Sequence, residues 1–237
     1  MSEPSNLERG IRRVHRLSVA AGVIVIALVM VSSVTSPKTC GTLESHYPPI
    51  VAFELARSDA DLQAIFGDGR RRMARCRAKA IDGMDQINHV DFALFMPAYG
   101  LFLGAAFLGL RRRGRRVAAA GVPLVGLALA ADAVENVCLL GLTPALDAGS
   151  TWMAVLPWAT GVKWLALGGV GAVAAVALWH GRRGGRVSAA VCMVTPVATI
   201  LAIADPRTFG ALVTTGMAAS WAILFVDGVV QARRRLT

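Results

Sequence analysis

Six stretches of at least 18 predominantly apolar residues, at 17–35, 92–110, 117–142, 151–179, 187–204 and 208–230, set the terms on which this chain can fold. Each is about as long as the roughly 20 residues that an α-helix needs to cross the hydrocarbon of a bilayer. Backbone amides cannot go unpaired in lipid, so segments of this kind must be helical. The sequence therefore predicts an all-α, polytopic membrane bundle of about six transmembrane helices. Residues 1–237 form one membrane domain, with 36–90 as a helical extracytoplasmic loop between the first two spans. Composition agrees: 55% of the residues are hydrophobic, against about 45–50% for soluble domains, and the mean hydropathy is +0.55. The segments outside the spans are too short for a separate catalytic domain.

The net charge of +10 is distributed as a topology signal. Arginines cluster at 9–16, 111–116, 182–186 and 233–235, and together these clusters hold 15 of the 25 Lys and Arg residues. An internal N-terminus puts all four clusters in the cytoplasm, as the positive-inside rule requires, and the C-terminus follows them. The two short opposite connectors, 143–150 and 205–207, carry only Arg207. Arg70, Arg71, Arg72, Arg75, Arg77 and Lys79 run against the pattern, but they sit in the long loop, where the rule has less weight. No basic face with interleaved aromatics exists, so nucleic acid is not an expected partner. The first apolar block has a basic flank like that of a signal peptide. It is longer than a usual signal core, and Val34-Thr35-Ser36-Pro37 is a poor cleavage site, so a retained helix is expected. The expected location is a bacterial cytoplasmic (inner) membrane.

The loop carries its own structural signals. Ser58 followed by Asp61 predicts a capping box opening a short helix that Gly67 closes. Pro48-Pro49 leads into an apolar run, 50–55, expected to lie on the membrane surface. Cys40 and Cys76 share the outer side and are candidates for a disulfide. Neither a C-x-x-C nor a Cys/His ligand spacing is present, so no metal site is expected. A haem held by His15 and His180 is disfavoured, because haem ligands usually lie within spans. Nor is there a phosphate- or dinucleotide-binding glycine motif, and no cofactor is expected.

The chemistry of the chain concentrates in polar residues inside the apolar blocks, which are costly there and functional by default. The third span contains Asp132, Glu135 and Asn136, whose offsets place them on one helical face. Lys163 lies in the fourth span, Asp91 and Tyr99 in the second, with His89 at its entry. At 1.5 Å per residue, Asp132 lies about 15 Å deep, Glu135 and Asn136 roughly 10 Å, Lys163 about 18 Å, and Tyr99 roughly 12 Å below Asp91. The short connector makes the third and fourth spans antiparallel neighbours, so Lys163 is expected to face Asp132, with Glu135 and Tyr99 a turn above. Asp227, at the other end of its span, is outside the group. A structural role would need one acid for one lysine; two acids facing Lys163 leave an excess that must hold a proton or a cation.

Prolines 97, 123, 157 and 196 place a helix breaker in each of the four middle spans. Gly100, Gly104, Gly161, Gly168 and Gly171 allow close helix approach. Phe53-Glu54-Leu55-Ala56, Asp91 with Phe95 and Tyr99, Asp132-x-x-Glu135-Asn136 and Lys163 together resemble the pattern of an uncharacterised family of multi-pass bacterial, actinobacterial-type membrane proteins. The resemblance covers roughly residues 50–170. It implies that these positions belong together, and no activity.

Three functions fit these features. The first is binding or transport of a small or amphipathic solute, with Asp132 or Glu135 exchanging a proton or cation and Lys163 tuning them. The second is an intramembrane enzyme acting on a lipid or isoprenoid-like substrate, with Glu135 or Asp132 as acid/base. The third is a non-catalytic assembly subunit. The expected partners are the lipid bilayer and a small or lipidic ligand, with oligomerisation open. A lipid-shaped cavity ending at the acids favours the second over a narrow polar vestibule, which favours transport.

Overall fold

A computed structural model describes residues 6–43, 48–179 and 183–233. His46, His180, Arg182, Arg234 and Arg235 lie outside the described residues. All regular structure among the described residues is helical. It comprises α1 (Asn6–Thr35), α2 (Pro49–Glu54), α3 (Asp59–Phe66), α4 (Ala74–Val90), α5 (Met96–Arg112), α6 (Gly121–Leu142), α7 (Thr151–Leu178), α8 (Arg183–Ala204) and α9 (Pro206–Arg233). A π-helical turn, Asp91–Phe95, joins α4 to α5 as one long rod.

Six of the described helical segments are long and apolar enough to cross a membrane, and this is a multi-pass membrane protein. The six spans close a ring: α1 packs on α5, α5 on α6, α6 on α7, α7 on α8, α8 on α9, and α9 back on α1. Large apolar side chains such as Met30, Val34, Trp158, Val176 and Ile200 face outward. A soluble monomer does not carry exposed apolar surface on this scale.

Glycine and proline have more restricted roles than their spacing predicts. A Cβ on Gly171 would lie 2.9 Å from Thr195 Cβ and 3.0 Å from the Cys192 carbonyl oxygen, and one on Gly168 would lie 3.1 Å from Thr199 Oγ1. Both let α7 and α8 approach closely. Gly104 and Gly161 meet nothing within 4 Å and need another explanation than packing. Pro97 lies two residues after the π turn within the continuous rod, Pro123 falls in the first turn of α6, and Pro157 and Pro196 stand inside α7 and α8. One of the four expected internal breakers, Pro123, is thus at a helix start, where a missing N–H costs little, and Pro97 adjoins a π turn that already interrupts the regular hydrogen-bond ladder.

The connection between α1 and α5 folds into a cap over one end of the bundle. Ser58 caps α3, its hydroxyl accepting from the Asp61 backbone N–H (3.3 Å) and donating to Asp61 Oδ2 (2.7 Å). Gly67 ends that helix at φ 78°. Phe53, Phe66 and Met84 of the cap share a core with Leu139 and Leu142 of α6 and Leu156 of α7. The Phe53 and Phe66 rings meet edge to face, 5.0 Å apart. A disulfide between Cys40 and Cys76 ties the exit of α1 to α4. Residues 50–55 do not lie on a membrane surface: Val51, Ala52 and Phe53 are buried. The correction follows from what α2 can bury, since Phe53 gains an aromatic partner and Glu54 a counter-charge by turning into the bundle.

Candidate functional site

At the capped end of the ring, polar side chains from α2, the π turn, α5, α6 and α7 meet around Lys163. Its Nζ donates to Glu135 Oε1, forms an ion pair with Glu54 Oε2 at 2.9 Å, and lies 3.4 Å from Asp132 Oδ1. The ammonium is also 5.1 Å from the centroid of the Trp164 ring, within cation–π range. Tyr99 OH donates to Asp132 Oδ2 at 2.7 Å. Asn136 Nδ2 donates to Asp91 Oδ2 at 2.6 Å and to the Asp132 carbonyl at 3.2 Å. All six residues singled out from the sequence, Asp91, Tyr99, Asp132, Glu135, Asn136 and Lys163, thus belong to one hydrogen-bonded group.

Two details differ from the expected arrangement. Glu135, rather than Asp132, is the nearest partner of Lys163, because the Tyr99 hydroxyl draws one oxygen of Asp132 away. Three carboxylates, rather than two, face the lysine, and the third is Glu54 from the cap. A lone acid in the otherwise apolar run Ile50-Val51-Ala52-Phe53-Glu54-Leu55-Ala56 was the available signal. The Thr160 hydroxyl holds this helix in place by donating to the Glu54 carbonyl at 3.0 Å. Burial pushes the Glu54 carboxyl above the usual carboxylate range, although the Lys163 ammonium pulls it down. His89 stands apart, with Nδ1 2.6 Å from the Asp85 carbonyl and its ring exposed.

The group sits at one end of a cavity of about 290 Å³. Its walls are mostly apolar, contributed by Val29 of α1, Val51 of α2, Phe95, Trp164 and Leu167, and Met217 and Trp221 of α9. Glu54, Asp91, Tyr99, Asp132, Asn136 and Lys163 form its polar end, with Glu135 behind the lysine. The π turn supplies both Asp91 and Phe95 to these walls; such turns recur at functional sites. The Phe95 and Trp221 rings stack on its apolar flank, 6.3 Å apart.

At the opposite end of the ring, Arg113 holds Asp227 through two hydrogen bonds, of 3.2 and 2.5 Å, so Asp227 takes no part in the site. His15 is buried there against Gly109, with neither ring nitrogen hydrogen-bonded. Among the described residues no group of three or more His, Cys, Asp or Glu is arranged to hold a metal ion; the centre of the acid cluster is filled by Lys163.

Comparison of the chain with protein-family models, with curated proteins and with solved structures gives no match.

Proposed function

We propose that this protein binds a small amphipathic molecule in the bilayer and exchanges a proton or cation with it at the acid cluster. The observation that carries the reading is the shape of the cavity: an apolar chamber that ends on three carboxyl groups and one lysine, with a fourth carboxyl behind the lysine. A water-soluble solute gains little from such walls, whereas an alkyl or ring body gains about 25 cal/mol for each Å² removed from water. At about 290 Å³ the chamber is near the lower end of the roughly 300–1,000 Å³ of small-molecule sites, which suits a compact ligand or the head and upper part of a longer one. The arginine-rich end faces the cytoplasm of a bacterium in this reading, and the disulfide-bearing cap faces the oxidising outer side. The resemblance to multi-pass bacterial membrane proteins points the same way.

The test is quenching of tryptophan fluorescence by 11-bromoundecan-1-ol in nanodiscs, since Trp164 and Trp221 both line the chamber. Saturable quenching that Thr214→Phe abolishes supports the proposal; quenching that rises linearly and identically in both proteins removes it. An intramembrane enzyme acting on a lipid or isoprenoid-like substrate is the second reading, favoured by the Tyr99–Asp132 hydrogen bond at the cavity end. It requires that a lipid extract incubated with the protein gains a new product by mass spectrometry, and that Asp132→Asn does not make it.

A further inference from the structure

The polar end of the chamber is mismatched in two independent ways, and a ligand of one kind corrects both. The first mismatch is charge. Glu54, Asp132 and Glu135 share one ammonium, that of Lys163, Asp91 has only the amide of Asn136, and among the described residues no other cation lines the cavity. The second is hydrogen bonding. Asn88, from the last turn of α4, is 1% exposed and lines the same cavity, yet its amide Nδ2 has no acceptor. Native proteins rarely bury a donor without an acceptor unless a ligand or another function calls for it.

Resting on the amphipathic-ligand reading above, we propose that the ligand is an amphipathic amine that also carries an oxygen acceptor: an amino alcohol or its carbonyl counterpart. Its ammonium sits among Glu54, Asp91 and Asp132 and supplies the positive charge the cluster lacks. Its hydroxyl or carbonyl oxygen accepts from the side-chain N–H of Asn88. Its hydrocarbon lies against Val51, Leu167 and Met217. A fatty acid is excluded on the same grounds, because its carboxylate would be a fifth acid at the cluster. A plain diol satisfies Asn88 but leaves the charge uncorrected.

The experiment is displacement of bound 11-bromoundecan-1-ol from the full chain in phosphatidylcholine nanodiscs, read as recovery of tryptophan fluorescence. The competitors are 1-aminododecan-2-ol, dodecylamine, 1,2-dodecanediol and dodecanoate. A hydrogen bond to a charged group is worth about 1.5–3 kcal/mol, so the amino alcohol should displace at a mole fraction roughly ten-fold or more below that of the diol. Dodecylamine should fall between them and dodecanoate should be weakest. Asp91→Asn should narrow the gap between amino alcohol and diol, and Asn88→Leu the gap between amino alcohol and dodecylamine. A diol that matches the amino alcohol in the wild-type protein overturns the amine. Equal displacement by dodecylamine and the amino alcohol overturns the oxygen acceptor. Both results leave the amphipathic-ligand reading intact, whereas failure of the bromo alcohol to bind defeats that reading and this inference together.

Discussion

Glu54 Oε2 and Lys163 Nζ lie 2.9 Å apart, although the acid belongs to a six-residue helix of the cap and the lysine to the interior of a spanning helix. The pair joins the seating of the cap to the charge state of the cluster. Lys163 serves three carboxylates at once, so its removal leaves like charges facing each other in a site that is almost fully buried. Breaking a buried ion pair from one side costs about 3–5 kcal/mol. Lys163→Met should therefore lower the thermal midpoint in detergent by many degrees. Adding Glu135→Gln to it should recover part of the loss, because one of the stranded charges is then gone. A double variant no more stable than Lys163→Met would show that the acids are not electrostatically coupled.

The cap has a second fastening in the Cys40–Cys76 disulfide, which bridges a sequence separation of 36 residues. Closing a loop of that size stabilises by about 3–4 kcal/mol in the chain-entropy account. Cys40→Ser should lower the melting midpoint by an amount that dithiothreitol reproduces in the wild type and does not increase in the variant. Cys138 and Cys192 are buried and free, so alkylation without reductant should label neither in the folded protein. Equal midpoints for reduced and oxidised protein would mean that the cap is held by its core alone.

How much of this was legible in the sequence follows from the physics of each part. The spans were, because hydrocarbon thickness fixes their length and leaves helix as the only option. The Asp132, Glu135, Asn136 and Lys163 group was, because charge inside an apolar block is conspicuous and a short connector forces α6 against α7. The position of α2 was not. Its apolar residues suit a membrane surface and a protein interior equally well, and only the tertiary partners Phe66 and Lys163 decide between them. Asn88 was not legible for a similar reason. A polar residue near a span edge is ordinary by composition, and only the cavity makes its unpaired donor meaningful.

At the edge of the cap, Asp61 Oδ1 accepts from Arg207 Nη2 at 2.8 Å and joins α3 to the start of α9. Burial alone would raise the Asp61 carboxyl, but the hydrogen bonds from Arg207, the Arg57 backbone and Ser58 outweigh it and hold it below the usual range. An acid with a depressed folded-state pKa stabilises above its unfolded value, about 3.9, and that stability is lost as pH falls through the folded value. The wild-type midpoint should therefore fall more steeply than that of Arg207→Ala as pH drops below about 4. The difference should shrink in high salt, because the arginine is exposed. Parallel melting curves for the two proteins across that range would exclude a role for the pair.

The glycines of α7 give a test of the bundle that does not depend on any ligand. Gly171 and Gly161 occupy the same helix and look alike in sequence, yet their surroundings differ. A methyl group on Gly171 would meet the Cys192 carbonyl oxygen at 3.0 Å and Thr195 Cβ at 2.9 Å. Backbone and a β-branched side chain cannot step aside, so α7 and α8 would have to separate. Overpacking of this kind costs about 1–3 kcal/mol. At Gly161 the same methyl group meets nothing within 4 Å, and replacing a helical glycine by alanine gains roughly 0.5–1 kcal/mol. Gly171→Ala should therefore lower the melting midpoint and Gly161→Ala should hold or raise it. Were the order reversed, α7 would have to pack through its other face, and Lys163, two residues beyond Gly161, would no longer point at Glu54, Asp132 and Glu135.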